Sequence, residues 1–179
     1  MSARRRFLAA GLALFGLGRR MLAQMTASSG AVMYAPLTRV VKIPLTAVAI
    51  PWHPVPFVAE ANFQPAAAGA TAAASRRVLI SGVLFRTPET LSALCITCPH
   101  EQCQVDLVTD EERLARMAEG KASHPLFECG CHSSVFDPAA DGARVSGETP
   151  RGLYRFRIAG IRDGIVEIEE IEKAALSEV

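Results

Sequence analysis

Cys98-Pro99-His100-Glu101-Gln102-Cys103 and Cys129-Gly130-Cys131-His132-Ser133-Ser134 decide how this chain reads. Each stretch offers a cysteine and a histidine at close spacing: Cys98 with His100, and Cys129 with His132. Each also holds one spare cysteine, Cys103 and Cys131. Two thiolates and two imidazoles drawn from two loops make a four-ligand metal site. The spare pair can cross-link the loops beside it. The same donors can hold zinc tetrahedrally. Zinc ribbons, however, usually separate the two ligands of a pair by two to four residues. The C-x-H spacing of the first loop and the paired spare cysteines favour a different metal centre.

The two stretches resemble the Rieske iron–sulfur family, whose pattern is C-x-H-x-x-C followed, after a variable gap, by C-x-C-H-x-S. All six cysteine and histidine positions match, as does Ser134. The resemblance extends from about residue 38 to about residue 170. It implies an all-β fold of small antiparallel sheets, with two metal-bearing loops at one end and a short helical insertion between them. It also implies a [2Fe–2S] cluster, with Cys98 and Cys129 on an inner iron and His100 and His132 on an outer, more exposed one. Neutral imidazole in place of anionic thiolate leaves the oxidised cluster less negative, which raises its potential. The imidazoles can also lose protons on oxidation, coupling proton to electron. Cys103 and Cys131 resemble the family's loop-bridging disulfide, a cross-link of roughly 3 kcal/mol in the chain-entropy model.

By the same resemblance, the Ser134 hydroxyl donates to a cluster sulfide, which stabilises the reduced cluster. The chain departs from the family at several points. Phe136 stands where a second donor, a tyrosine, is expected, which implies a potential below that of high-potential relatives. Glu101 replaces an apolar residue at the tip that docks into a quinol pocket, where burying a carboxylate is costly. Gln102 and Ser133 replace glycines. Gly147-Glu148-Thr149-Pro150 stands for the family's glycine–proline loop, a third wall over the cluster, with different middle residues.

The 179 residues suffice for one domain with a proper core, and 50% of them are hydrophobic. A net charge of +1 gives no basic surface for nucleic acid. Of the five cysteines, Cys95 is left over, and its place in an apolar run reads as a small core thiol. The disulfide requires an oxidising compartment. Residues 1–30 supply a route to one: Arg4-Arg5-Arg6-Phe7-Leu8 resembles the twin-arginine export motif. The apolar run from Phe7 to Gly18 is shorter than the roughly 20 residues of a spanning helix. It fits a signal segment better, and whether it is cleaved or kept as an anchor stays open.

Residues 31–175 are read as the metal-binding domain, opening on a linker over 28–37. A β-branched run with Val40, Val41 and Ile43 predicts strands, and Pro44, Pro51, Pro54 and Pro56 make those strands short or edge-lying. His53 reads as a surface loop residue. The alanine-rich stretch 61–76 reads as a loop. Strands are predicted over Arg77–Phe85 and Leu91–Ile96. Thr109-Asp110-Glu111-Glu112 has the form of a capping box, opening a short solvated helix through Leu114 and Met117 that Gly120 stops. His124 falls outside the ligand set. Tyr154–Ile158 and Ile165–Ile168 read as strands joined by an Asp163-Gly164 hairpin, and Glu169–Val179 as a charged helix.

Two functions fit. The first is the iron–sulfur subunit of a bc-type quinol:cytochrome c oxidoreductase, with cytochrome b, cytochrome c and quinol as partners. The second is an exported relay, such as the small subunit of an arsenite-oxidase-type molybdenum enzyme, or a free-standing carrier; Ser134-Val135-Phe136-Asp137 is compatible with it. Both place the protein on the periplasmic side, soluble or membrane-associated through its N-terminus. The sequence offers no second iron site of the His-His-carboxylate kind, which weighs against an oxygenase component.

Overall fold

β-Branched residues recur in short runs along the chain, and strands dominate what they form. The computed structural model describes residues 31–63, 75–119 and 122–178. In chain order it lays down β1 (Tyr34–Pro44), β2 (Val55–Phe63), β3 (Arg76–Arg86) and β4 (Leu91–Cys95). Next come β5 (Val105–Val108), helix α1 (Glu111–Met117), β6 (Leu126–Cys129), β7 (Val135–Asp137) and β8 (Ala143–Ser146). The chain then returns through β9 (Phe156–Arg162), β10 (Ile165–Glu172) and the short helix α2 (Ala175–Glu178). β1 to β4 with β9 and β10 make a six-stranded sheet, ordered β4-β3-β2-β1-β10-β9. β5 to β8 make a four-stranded sheet in simple sequence order. All pairings are antiparallel. The all-β expectation holds.

The edges of the larger sheet meet. The Cys95 N–H donates to the Tyr154 carbonyl at 2.8 Å, and Leu94 bridges Arg155. The smaller sheet grows out of this seam, because its whole length lies between β4 and β9. Strand alternation makes β3 and β4 a two-sided wall. Ile80, Leu84, Ala93 and Cys95 face the core of the larger sheet. Val83, Phe85 and Leu94 face a second core that holds Cys98, Cys129 and Phe136. The metal-bearing loops therefore stand on the back of the larger sheet.

Several expectations need correction. Strand β1 begins at Tyr34, inside the expected linker. β1 and β2 are interior, and β1 is 11 residues long. Pro44 ends β1, and Pro51 and Pro54 fall in the connection before β2; Pro56 is the second residue of β2, tolerated at the strand's start opposite Val83. The cap of α1 is Asp110, one residue later than the capping-box reading, and its carboxylate accepts from the Arg113 N–H at 2.8 Å. The expected loop over 61–76 is strand at both ends, and its middle lies outside the described residues. The expected tail helix is strand as far as Glu172, then one short helical turn. The Asp163-Gly164 hairpin forms as expected, with φ of +49° and +74°. The export segment and Gly120 lie outside the described residues. Among the described residues no helix is long and apolar enough to cross a membrane.

Candidate metal centre

The two cysteine–histidine stretches fold into loops with one backbone frame. In the first, Cys98 N–H donates to Cys103 O at 2.8 Å and Gln102 N–H to Cys98 O at 3.0 Å. In the second, Cys129 N–H donates to Ser134 O at 2.9 Å and Ser133 N–H to Cys129 O at 3.0 Å. Each loop thus starts on a buried cysteine and turns on its fifth residue. Gln102 and Ser133 occupy that fifth place with φ of +59° and +52°. This left-handed conformation is where glycine costs least.

The frame brings the chemistry together. Cys98 and Cys129 are free, buried thiols in contact with each other. Burial pushes the Cys98 thiol up; the His100 N–H pulls the other way, and Cys129 adds to the rise. The His100 and His132 rings lie edge to face with centroids 4.8 Å apart. His100 Nδ1 is buried and finds no partner among the described residues. His132 is more open, with 39% of its side chain exposed, and its Nε2 lies 3.9 Å from a Glu101 oxygen. Cys103 and Cys131 form a disulfide that ties the loops together, and its sulfurs lie within 4.8 Å of Cys129 Sγ.

A third loop closes over these two. Gly147 has φ of +97°, and a Cβ there would lie 2.4 Å from Ser134 Cα and 2.5 Å from its hydroxyl. Thr149 is buried, and Arg144 donates to its carbonyl at 2.8 Å. Ser134 is fully buried, yet its hydroxyl has no partner among the described residues. Two adjacent buried thiols, an orphaned imidazole nitrogen and an orphaned hydroxyl thus lie on the same two loops. Such groups are costly to bury unpaired. Metal ions with bridging sulfides would satisfy them: thiolates and imidazoles as ligands, and the hydroxyl as donor to sulfide.

A family model of the Rieske [2Fe-2S] domain matches residues 52–157. The chain belongs to this family. Comparison with curated proteins gave no match. The Rieske domain binds a [2Fe–2S] cluster and serves iron–sulfur electron transfer, and the donor set just described fits that group. The matched span includes all three loops and the whole four-stranded sheet. It leaves out β1, β10 and most of β9, three neighbouring strands of the larger sheet.

The structure brings Cys98 against Cys129 and His100 against His132, sets the Cys103–Cys131 disulfide close to Cys129, and buries Ser134 at the end of the second loop. It keeps His53 exposed on a loop and Cys95 in the larger core. Phe136 is fully buried in the second core of the Rieske domain. His124 bonds Asp137 at 2.7 Å and stacks on Trp52 at 5.2 Å. Trp52, at φ of +60°, stacks in turn near Phe85 and packs on the core that holds Cys98 and Cys129. Sequence reasoning missed this Trp52 platform. It also missed the buried Glu172, which pairs with Arg151 and Arg155 beside the third loop. Glu172 sits in an acidic run that reads as solvated; only β10 pairing with β1 and β9 reveals its burial.

Proposed function

We propose that Cys98 and Cys129 hold one iron of the [2Fe–2S] cluster and that His100 and His132 hold the other. The bound cluster supplies a one-electron couple of raised potential. The chain does the rest. The two buried thiols keep the inner side away from water, and the disulfide ties the loops together. The Ser134 hydroxyl donates to a sulfide. His132 presents the open edge through which a redox partner exchanges electrons. The observation that carries this reading is that His100 Nδ1 and Ser134 Oγ are buried without partners among the described residues, on the two loops whose thiols touch. Iron, zinc and sulfide analysis tests it. The purified chain should hold two irons with labile sulfide. His100→Ala and His132→Ala should each abolish the visible and EPR spectrum. One zinc per chain, or an unchanged spectrum in either variant, would refute the assignment.

As its finer role, the chain is the iron–sulfur subunit of a bc-type quinol:cytochrome c oxidoreductase, exported by its twin-arginine segment. The inter-loop disulfide, the third loop on Ser134 and the open His132 edge support this. Glu101 favours a second role. Its side chain is 60% exposed at the loop tip, and a carboxylate there suits a polar partner better than an apolar quinol pocket. That points to a relay, such as the small subunit of an arsenite-oxidase-type molybdenum enzyme, or a free carrier. Affinity purification from the native membrane and periplasm separates the two. A co-purifying cytochrome b with quinol-dependent reduction of the cluster supports the first, and a molybdenum-containing large subunit supports the second. Arg4→Lys with Arg5→Lys should hold the chain in the cytoplasm.

A further inference from the structure

Glu172, the last residue of β10, is a carboxylate with only 2% of its side chain exposed. A buried carboxylate is tolerated when it is paired and hydrogen-bonded, and Glu172 is both. One oxygen accepts from Arg155 Nε at 2.5 Å, and the other from an Arg151 guanidinium nitrogen. That bond holds Arg155 above its ordinary protonation range, so it stays charged. The two arginines lead to different places. Arg155 lies at the seam of the larger sheet, bridging Leu94. Arg151 follows the third loop directly, and its guanidinium packs on the Tyr154 ring at 4.2 Å. Its carbonyl accepts from the buried Thr149 hydroxyl at 2.9 Å. Two residues before Thr149, Gly147 presses on Ser134.

A path therefore runs from Glu172 through Arg151 to Thr149 by hydrogen bonds, then along the chain to Gly147 and its close approach to Ser134. We propose that Glu172 is a positioning residue for the metal centre: through Arg151 it holds the 147–150 loop against Ser134 and so aims the Ser134 hydroxyl that tunes the cluster. This rests on the donor role given to Ser134 above. The division of its two oxygens supports a positioning role over simple solvation of two arginines. Only one of its two oxygens serves the seam; the other is committed to the loop. Loss of the anchor weakens the donor hydrogen bond, and a weaker donor lowers the potential.

The test measures reduction potential, iron content and amide hydrogen exchange on the full, cluster-loaded chain and four variants. Glu172→Gln removes a negative charge, whose field alone would raise the potential. Arg151→Lys keeps its charge but loses the planar fork. Arg155→Lys perturbs the same carboxylate on the side away from the loop. Ser134→Ala removes the donor. Glu172→Gln and Arg151→Lys should both lower the potential with full iron content and should speed exchange of amides 147–149. Arg155→Lys should leave the potential in place. A raised or unchanged potential in Glu172→Gln, while Ser134→Ala lowers it, overturns the proposal and leaves the donor role intact. If Glu172→Gln does not fold, Arg151→Lys decides alone, and an unchanged potential in it overturns the proposal. An unchanged potential in Ser134→Ala removes the donor role itself and this inference with it.

Discussion

Gly147 occupies a place where a single methyl group has nowhere to go. Its left-handed backbone and its approach to Ser134 both exclude a side chain. Gly147→Ala should cost roughly 2 to 5 kcal/mol from strain and overpacking together, and should lift the third loop off Ser134. Urea unfolding followed by circular dichroism checks this; a variant as stable as the parent would contradict the contact. Cys95 is constrained differently, by burial in the larger core that denies reagents access. Burial pushes its thiol above the ordinary 9.0, with the Thr97 N–H pulling the other way. The folded state thus keeps a proton that the unfolded chain releases. The stability it contributes is complete below 9.0 and is lost as pH rises through the raised value. An alkylating reagent at neutral pH should leave Cys95 unmodified in the folded chain and label it fully in urea, read by mass spectrometry. At this scale the candidate donors were plain in the sequence, since C-x-H-x-x-C and C-x-C-H-x-S name residue types that share a chemistry. Glu172 and Trp52 were not, because their roles come from neighbours far along the chain.

Among elements, the two loops are tied by a disulfide spanning 28 residues. In the chain-entropy model a loop of that length gives roughly 3 to 4 kcal/mol. The double variant Cys103→Ser, Cys131→Ser should lose up to that much against heat or urea in the metal-free chain. The loss should be smaller in the loaded protein, where the metal centre cross-links the same loops. Equal stability of parent and variant in the metal-free state would mean the loops do not need the cross-link. Strand β10 shows where pattern reading fails. Ile165-Val166-Glu167-Ile168-Glu169-Glu170-Ile171-Glu172 ends in a run of acids that suggests a solvated helix. Cross-strand bases override that preference: Lys42 reaches Glu167 at 3.3 Å, Arg162 reaches it at 3.2 Å, and Arg157 reaches Glu170 at 2.6 Å. The hairpin at Asp163-Gly164 was legible because a positive-φ pair is a local property. The partners of β10 are not local.

For the molecule as a whole, the sheets divide the labour. The six-stranded sheet has its own core, with Ile80, Leu84, Val166 and Ile168 fully buried. The smaller sheet leans on the back of it through Val83, Phe85 and Leu94. Stripping the iron with a chelator should therefore leave the larger sheet folded by far-UV circular dichroism, while amides of residues 98–103 and 129–134 lose exchange protection. Global unfolding on iron removal would show that the two cores are not separable. The all-β class was readable because β-branched runs and turn residues repeat along the chain, whereas the nesting of one sheet within the other was not, since it depends on a seam closed by Cys95 and Tyr154.

Trp52 is the sole tryptophan of the chain, and it stacks on His124 and near Phe85 against the core that holds Cys98 and Cys129. The molecule thus carries a single indole beside the core that holds its metal-binding thiols. Indole emission should be quenched in the coloured protein and brighten as the colour bleaches, giving an optical record of occupancy that needs no label.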